Sequence, residues 1–276
     1  MPLSEQYRFL PRFKGKKRLG NILFKKSLFS NKDVVIKCQG GLQYHILNTH
    51  DSVGRDLFFD GVYEPETIKT ISALLKDGDI MIDAGANIGA ISLPIAKNRN
   101  VRIYAFEPAK KIHDTLLQNI AINNVKNIKA LPLALSDKEG EVDFYESDRV
   151  HGWSGMVKID SFQKYQVKTT TLDQFAEQNN LDKVAVLKMD VQGWEYFVLK
   201  GAEKMIREKR IAHILFEFEW WAEKNADLEL GAAQQFLLDQ GYELQTLDGR
   251  KIDEPLTEGS LILHARSGRH RRSDRR

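Results

Sequence analysis

The chain has 276 residues, 42% hydrophobic and 29% charged, a balance that suits one α/β domain with extensions and excludes a disordered or fibrous protein. No apolar run has the length of a membrane-spanning helix, the basic N-terminus lacks the apolar core and cleavage site of a secretory signal, and a single cysteine, Cys38, excludes an internal disulfide framework and fits a reducing, cytoplasmic setting. The net charge of +3 is unevenly spread: residues 1–37 carry +8 and residues 266–276 carry +5, which leaves −10 for the body, unlike the basic groove of a nucleic-acid binder.

In chain order, residues 1–60 read as a basic N-terminal extension. Its first 33 residues interleave lysines and arginines with Phe9, Leu10, Phe13, Leu19, Ile22, Leu23, Phe24, Leu28 and Phe29. The pattern fits either an amphipathic helix packed on the domain or weak membrane-surface contact through residues 1–30. Val34–Cys38 and Leu42–Leu47, around Gly40 and Gly41, predict a β-hairpin. The main domain is expected over residues 61–265. Residues 66–76 have helical spacing at Ile68, Ile71, Leu74 and Leu75, stopped by Asp77 and Gly78. From Ile80 the elements alternate: strand 80–83, helix 87–97, strand 101–106, helix 109–123 and strand 127–132. Short strands at 142–145 and 166–170 flank a loop. Helix 172–179, strand 184–189, helix 194–208, strand 211–217 and helix 226–240 follow, then strands 242–247 and 260–264. Such alternation predicts a mostly parallel sheet covered by helices and closed by an antiparallel edge strand. The arginine-rich residues 266–276 have nothing apolar to bury and read as a disordered tail.

In open α/β sheets ligands sit at the carboxyl ends of the strands. The first strand ends at Asp83 and turns through Ala84-Gly-Ala-Asn-Ile-Gly89. Glycines there let a ligand approach the backbone, and the N–H groups of a following helix favour it. The G-x-x-x-G spacing differs from the G-x-G-x-x-G of dinucleotide enzymes and points to another adenosine-bearing cofactor, S-adenosylmethionine. The second strand ends at Glu107, 24 residues after Asp83, where an acid can accept both ribose hydroxyls; no arginine stands beside it for a 2′-phosphate. The third runs into Pro132-Leu-Ala-Leu-Ser136, whose Ala134 and Leu135 can flank an adenine. The fourth and fifth end at Asp190 and Glu217.

These motifs resemble the FkbM family of S-adenosylmethionine-dependent O-methyltransferases over about residues 55–245. The resemblance rests on Tyr63-Glu-Pro65, IDAGANIGAIS at 82–92, AFEP at 105–108, LALSD at 133–137, TTLD at 170–173 and LKMDVQGWEYFVLKGA at 187–202. Gln192 stands where the family more often has Glu. The resemblance implies a class I methyltransferase fold: α/β, Rossmann-like, a mostly parallel seven-stranded sheet with an antiparallel last strand, here with a small N-terminal helix and hairpin extension. It implies cofactor contacts from Glu64, Asp83, Gly85, Ala86, Asn87, Gly89, Glu107, Pro108, Ala134 and Leu135, with Asp190 near the cofactor's amino-acid end and methyl group.

A hydroxyl nucleophile benefits from a base. The candidates for catalysis are Asp190, Glu217 and His151, the last in the loop His151-Gly-Trp-Ser-Gly155. Asp190, Glu217 and Glu219 are also oxygen donors of the kind Mg²⁺ uses, but caps and substrate hydrogen bonds are the simpler reading, and no metal is assigned. Glu195 reads equally as a residue that favours the dipole of its helix. Trp194, Trp220 and Trp221 read as core or rim, with stacking on a sugar as the alternative for the last two. His113, His213 and His264 fall inside predicted elements. The chain lacks the Asn/Asp-Pro-Pro-aromatic motif of exocyclic-amine methylation, and Cys38 lacks the Pro-Cys context of cytosine C5 chemistry. The expected reaction is methyl transfer to a hydroxyl of a carbohydrate or glycosylated small metabolite, with no stable nucleic-acid partner. The alternatives are an RNA methyltransferase using the basic termini as clamps, or a non-catalytic cofactor-binding protein. No oligomeric state is assigned.

Overall fold

Apolar residues at alternate positions of the central strands build two cores at once. The computed structural model describes residues 3–24, 34–49, 51–147 and 154–268. His151, Leu28, Phe29 and the tail beyond residue 268 lie outside them. In chain order the elements are α1 (Leu3–Arg8), α2 (Lys16–Leu23), β1 (Val34–Lys37), β2 (Gln43–Ile46), α3 (Ser52–Asp60), α4 (Pro65–Leu74), β3 (Ile80–Ala84), α5 (Ser92–Asn98), β4 (Arg102–Phe106), α6 (Lys110–Ile122), β5 (Ile128–Leu131) and β6 (Ala134–Leu135). Then come β7 (Gly140–Glu146), β8 (Gln163–Thr170), α7 (Leu172–Gln178), β9 (Val184–Met189), α8 (Glu195–Lys200), α9 (Glu203–Arg207), β10 (Ile211–Glu219), α10 (Trp220–Asn225), α11 (Ala232–Asp239), β11 (Tyr242–Thr246), β12 (Lys251–Ile252) and β13 (Ser260–Ser267).

Met81, Ile103, Val186 and Leu215 point to one face of the sheet, where they meet Ile71 of α4, Leu93 and Ile95 of α5 and Ile112 of α6. Their neighbours Ile82, Tyr104, Leu187 and Ile214 point to the other face, against Phe175 of α7, Val198 of α8, Met205 of α9 and Leu237 of α11. Burial on both faces is why these strands are near-continuous apolar runs rather than alternating ones.

The main sheet has the order β12-β11-β13-β10-β9-β3-β4-β5. Strands β3, β4, β5, β9 and β10 pair in parallel. Strand β13 is antiparallel to both β10 and β11. This is the arrangement with an antiparallel last strand that the resemblance implies, with two corrections. The two-residue β12 adds an eighth strand at the edge. The antiparallel β13 is not an edge strand: it inserts between β10 and β11. It also runs to Ser267, so Arg266, assigned to the tail by its charge, is a strand residue paired with His213 and bonded to Glu243.

Three helical boundaries differ from the expectation. Helix α5 starts at Ser92 rather than at 87, because Asn87 (φ 50) and Gly89 (φ 87) hold left-handed backbone. The expected helix 194–208 breaks after Lys200, where Asp173 accepts from the N–H groups of Lys204 (2.8 Å) and Met205 (2.9 Å) and so starts α9 afresh. The expected helix 226–240 begins only at Ala232, behind the left-handed Gly231. Its approach is a separate helix, α10, that contains both Trp220 and Trp221.

The hairpin β1–β2 forms as expected and docks on α6 through two asparagines. Asn123 exchanges two hydrogen bonds with the backbone of Gln43 (2.8 and 2.6 Å). Fully buried Asn119 accepts from His45 N (2.6 Å) and donates to His45 O (3.2 Å) and Ile88 O (3.0 Å). One side chain thereby ties the extension to the glycine loop after β3. Tyr7 and Phe24 pack edge-on against Phe59 and Phe58 of α3, and buried Lys16 pairs with Asp60 at 3.3 Å. Leu3, Phe9, Leu10, Phe13, Ile22 and Leu23 stay exposed. No helix among the described residues is long and apolar enough to cross a membrane.

Candidate active site

The chain passes outward from β3 through β4 to β5, then returns across β3 to continue at β9 and β10. The loops that leave β3 and β9 therefore diverge in opposite directions and open a crevice at their carboxyl ends. A cleft with a cavity volume of about 160 Å³ occupies this place.

The loop after β3 is stitched to both neighbours. The N–H groups of Gly85 and Ala86 donate to Phe106 O (both 3.0 Å), and Asp190 N donates to Ala84 O (3.1 Å). Gly85 has φ 74, and a Cβ there would overlap the carbonyl oxygen of Asp190. Only glycine fits so tight a crossing. Gly85, Ala86 and Asn87 line the cleft. Gly89 does not: a Cβ there would meet Leu116 of α6 at 2.8 Å, so its bare backbone serves packing on α6.

Asp83 does not line the cleft either. It is fully buried beneath the loop, where Ser92 Oγ donates to it (2.6 Å) and Lys188 Nζ stands 3.1 Å away. Lys188 in turn donates to Gly85 O at 3.1 Å and lies 4.0 Å from Asp190. Burial alone would lower the Lys188 ammonium, but the charges of Asp83, Asp190 and Glu64 overrule it and hold the lysine protonated. Asp83 therefore acts through Lys188 on the loop.

Glu107 sits at the end of β4 and lines the cleft as expected. Its two oxygens accept from Asn87 N (2.9 Å) and Ala109 N (3.0 Å). A carboxylate has further lone-pair sites for two hydroxyls. Burial pushes it up to about 7 against the pull of those backbone bonds. Pro108, Ala134, Leu135, Phe106, Ile112 and Phe144 give the same end of the cleft apolar walls, suited to a flat heteroaromatic ring.

The opposite end is acidic. Asp190, Glu217 and Glu219 line it, with Tyr63 beside them. Glu64 lies behind, in a smaller adjoining pocket that Lys188, Asp190 and Glu217 also line. Its φ of 38 is rare for a non-glycine residue. Burial first, then the charge of Asp190, raises the Glu64 carboxyl. Burial and the charges of Asp190 and Glu219 push Glu217 up to about 9. Glu217 thus retains its proton at neutral pH.

Residues the sequence left without a role complete the walls. Ser52 and Val53 at the start of α3, and Ser154, Gly155 and Met156 beside β7, close the cleft. Gln192 (φ 54) donates through Nε2 to Asp190 Oδ1 at 2.7 Å and to Glu217 Oε2 at 3.3 Å. Glu195 is structural: buried, it accepts from Val191 N at 3.0 Å and fixes the turn after β9. Trp194 donates to Ser136 Oγ (3.1 Å) and stacks on Phe197 at 4.1 Å, partly buried against the core. His213 and His264 contact each other at 3.0 Å on β10 and β13, and His113 is buried on α6; none of the three lines the cleft. Among the described residues no group of three or more His, Cys, Asp or Glu is arranged to hold a metal ion.

Residues 83–244 match the model of the methyltransferase FkbM domain. The chain is 26% identical over 197 residues to methyltransferase sdnD of Sordaria araneosa, a match covering 59% of this chain and 73% of that protein. It is 29% identical over 138 residues to hexuronic acid methyltransferase AglP of Haloferax volcanii, covering 50% of this chain and 56% of AglP. It is 23% identical over 178 residues to 2-O-methyltransferase NoeI of Sinorhizobium fredii, covering 56% of this chain and 72% of NoeI.

Proposed function

The chain belongs to the FkbM methyltransferase family, and from that premise we propose that it transfers a methyl group from S-adenosylmethionine to a hydroxyl of a carbohydrate or glycosylated small metabolite. One observation carries the reading: a single cleft at the switch point joins an apolar end guarded by Glu107 to an acidic end formed by Asp190 and Glu217.

The residues present fit S-adenosylmethionine. Glu107 keeps carboxyl lone pairs free for ribose hydroxyls although it is buried, and Gly85, Ala86 and Asn87 line the cleft beside it. Ala134, Leu135 and Phe144 would flank the adenine, and the Gly85–Asn87 loop would follow the ribose and amino-acid portion. When bound, the cofactor supplies an electrophilic methyl on a sulfonium. The chain's own residues do the rest. Asp190 accepts the hydrogen of the acceptor hydroxyl and takes up its proton as the oxygen is alkylated. Glu217, which retains a proton at neutral pH, donates a hydrogen bond to a second acceptor oxygen. The walls at Ser52–Val53 and Ser154–Met156 narrow the approach, and alignment of the attacking oxygen supplies much of the rate.

The names of AglP and NoeI, a hexuronic acid methyltransferase and a 2-O-methyltransferase, support an oxygen acceptor. Three cations of the basic termini are paired with acids of the chain: Lys16 with Asp60, Lys17 with Asp56 and Arg266 with Glu243. The test is methyl transfer from radiolabelled S-adenosylmethionine to a glycoside panel and to RNA. Label in the glycosides supports the proposal, and label confined to RNA refutes it.

A further inference from the structure

We infer that Gln192 is a specificity-determining residue: by clasping Asp190 and Glu217 into one hydrogen-bonded unit, it fits the acceptor end of the cleft to an uncharged polyhydroxyl sugar and against a uronate. The inference rests on the methyltransferase reading of this cleft and deepens it.

The geometry is specific to an amide. Gln192 Nε2 carries two hydrogens and reaches two carboxyls, Asp190 Oδ1 at 2.7 Å and Glu217 Oε2 at 3.3 Å. Its backbone is locked. Gln192 has φ 54 and Gly193 φ 94, and a Cβ on Gly193 would overlap Ala222 of α10. Gly155 presses from the other side, where a Cβ would come within 3.2 Å of Gln192 Cβ. The backbone is therefore fixed where the amide reaches both acids. A glutamate here, the residue commoner in the family, would bring a third carboxyl into hydrogen-bond distance of two others and replace donors with negative charge.

Charge decides the substrate class. Among the described residues that line the cleft, Lys188 is the one cation, and it is engaged with Asp83 and Gly85. The acceptor end presents Asp190, Glu217 and Glu219, with Glu64 behind them. A uronate carboxylate would meet these acids with no free cation among the described lining residues to receive it, a repulsive element of the kind that creates specificity. A neutral diol instead finds complementary partners. One hydroxyl donates to Asp190, and a neighbouring oxygen accepts from Glu217, which burial and adjacent charge keep protonated near neutrality.

The experiment uses the full chain loaded with S-adenosylhomocysteine. Saturation-transfer NMR compares methyl hexopyranosides with methyl glucuronide, and calorimetry follows S-adenosylhomocysteine itself. The hexosides should bind at least about tenfold more tightly than the glucuronide. Gln192→Glu and Gln192→Met should each weaken hexoside binding about tenfold, and Gln192→Glu should also shift its pH profile, with S-adenosylhomocysteine affinity retained. Three results overturn the inference while leaving the cofactor assignment intact: glucuronide bound as well as the hexosides, neither sugar bound, or both variants unchanged. No binding of S-adenosylhomocysteine by the unmodified chain overturns the functional proposal itself.

Discussion

Asp83 and Lys188 are in-register partners on the paired strands β3 and β9, and their side chains meet 3.1 Å apart with 0% and 7% exposure. A charged pair so deeply buried is held in place by its further bonds: Ser92 to Asp83, and Lys188 to the Gly85 carbonyl. It joins the two strands at the point where their loops part to form the cleft.

Breaking that pair should be costly. Asp83→Ala leaves Lys188 buried without its main counter-charge and should cost about 3–5 kcal/mol in denaturant unfolding. Asp83→Ala combined with Lys188→Met should recover much of that stability, because both charges are then gone. The double variant should still bind the cofactor weakly, since the support under Gly85 is lost. Equal stability of single and double variants would show that the pair is not the cause.

The pH dependence follows from three buried glutamates. Burial raises Glu107 to about 7, Glu195 to about 8 and Glu217 to about 9. Each holds its proton more tightly folded than unfolded. Their stabilising contribution is therefore complete below the ordinary glutamate value and is lost as pH rises through about 7 to 9. The melting temperature of the free protein should fall over that window. Cofactor binding should draw the opposite response from Glu107, because ribose hydroxyls donate to its ionised form. Calorimetry just below neutrality, in two buffers of different ionisation enthalpy, should show proton release on binding. Proton uptake would place the ribose elsewhere.

The two loop glycines should separate ligand effects from packing effects. Gly85→Ala forces φ 74 on a residue with a side chain and drives its Cβ into Asp190 O. The strained backbone alone costs about 1–3 kcal/mol, and both melting temperature and cofactor affinity should drop sharply. Gly89→Ala carries a similar strain at φ 87 but meets the Leu116 side chain, away from the cleft. It should lower the melting temperature while cofactor affinity falls much less. Parallel losses of affinity in both variants would contradict this division.

Asn119 should matter despite its distance from the acids. Asn119→Ala removes three hydrogen bonds that link β2, α6 and the Ile88 carbonyl. Leaving those backbone groups unsatisfied costs roughly 1–3 kcal/mol each at full burial. Faster proteolysis of the hairpin, with a lower melting temperature, is the expected outcome.

Much of the frame was legible because it depends on local signals. The apolar runs of β3, β4 and β9, the glycine loop and the acids at strand ends all carry short-range patterns. The positions of Glu107 and Asp190 on the cleft followed from them directly. What was not legible depended on partners distant in sequence. Asp83 and Gly89 lie in the right loop, yet their roles are set by Lys188 and Leu116, which no spacing rule connects to them. Lys188 did leave a signal, a lone lysine inside the apolar run Val184–Met189, beside a strand that ends in an aspartate. The break before α9 is fixed by Asp173, some thirty residues upstream, and the insertion of β13 between β10 and β11 is a matter of topology. Gln192 was visible only as a departure from a family pattern; its two carboxyl partners come from separate strand ends.

The central claim is that this cleft holds S-adenosylmethionine through Glu107. Calorimetric titration of S-adenosylhomocysteine into the full chain and into Glu107→Ala tests it most directly. The account predicts saturable one-to-one binding to the unmodified chain and a loss of at least about a hundredfold, roughly 2.7 kcal/mol, in Glu107→Ala. Absence of binding to the unmodified chain, or equal affinity of the two proteins, would contradict it.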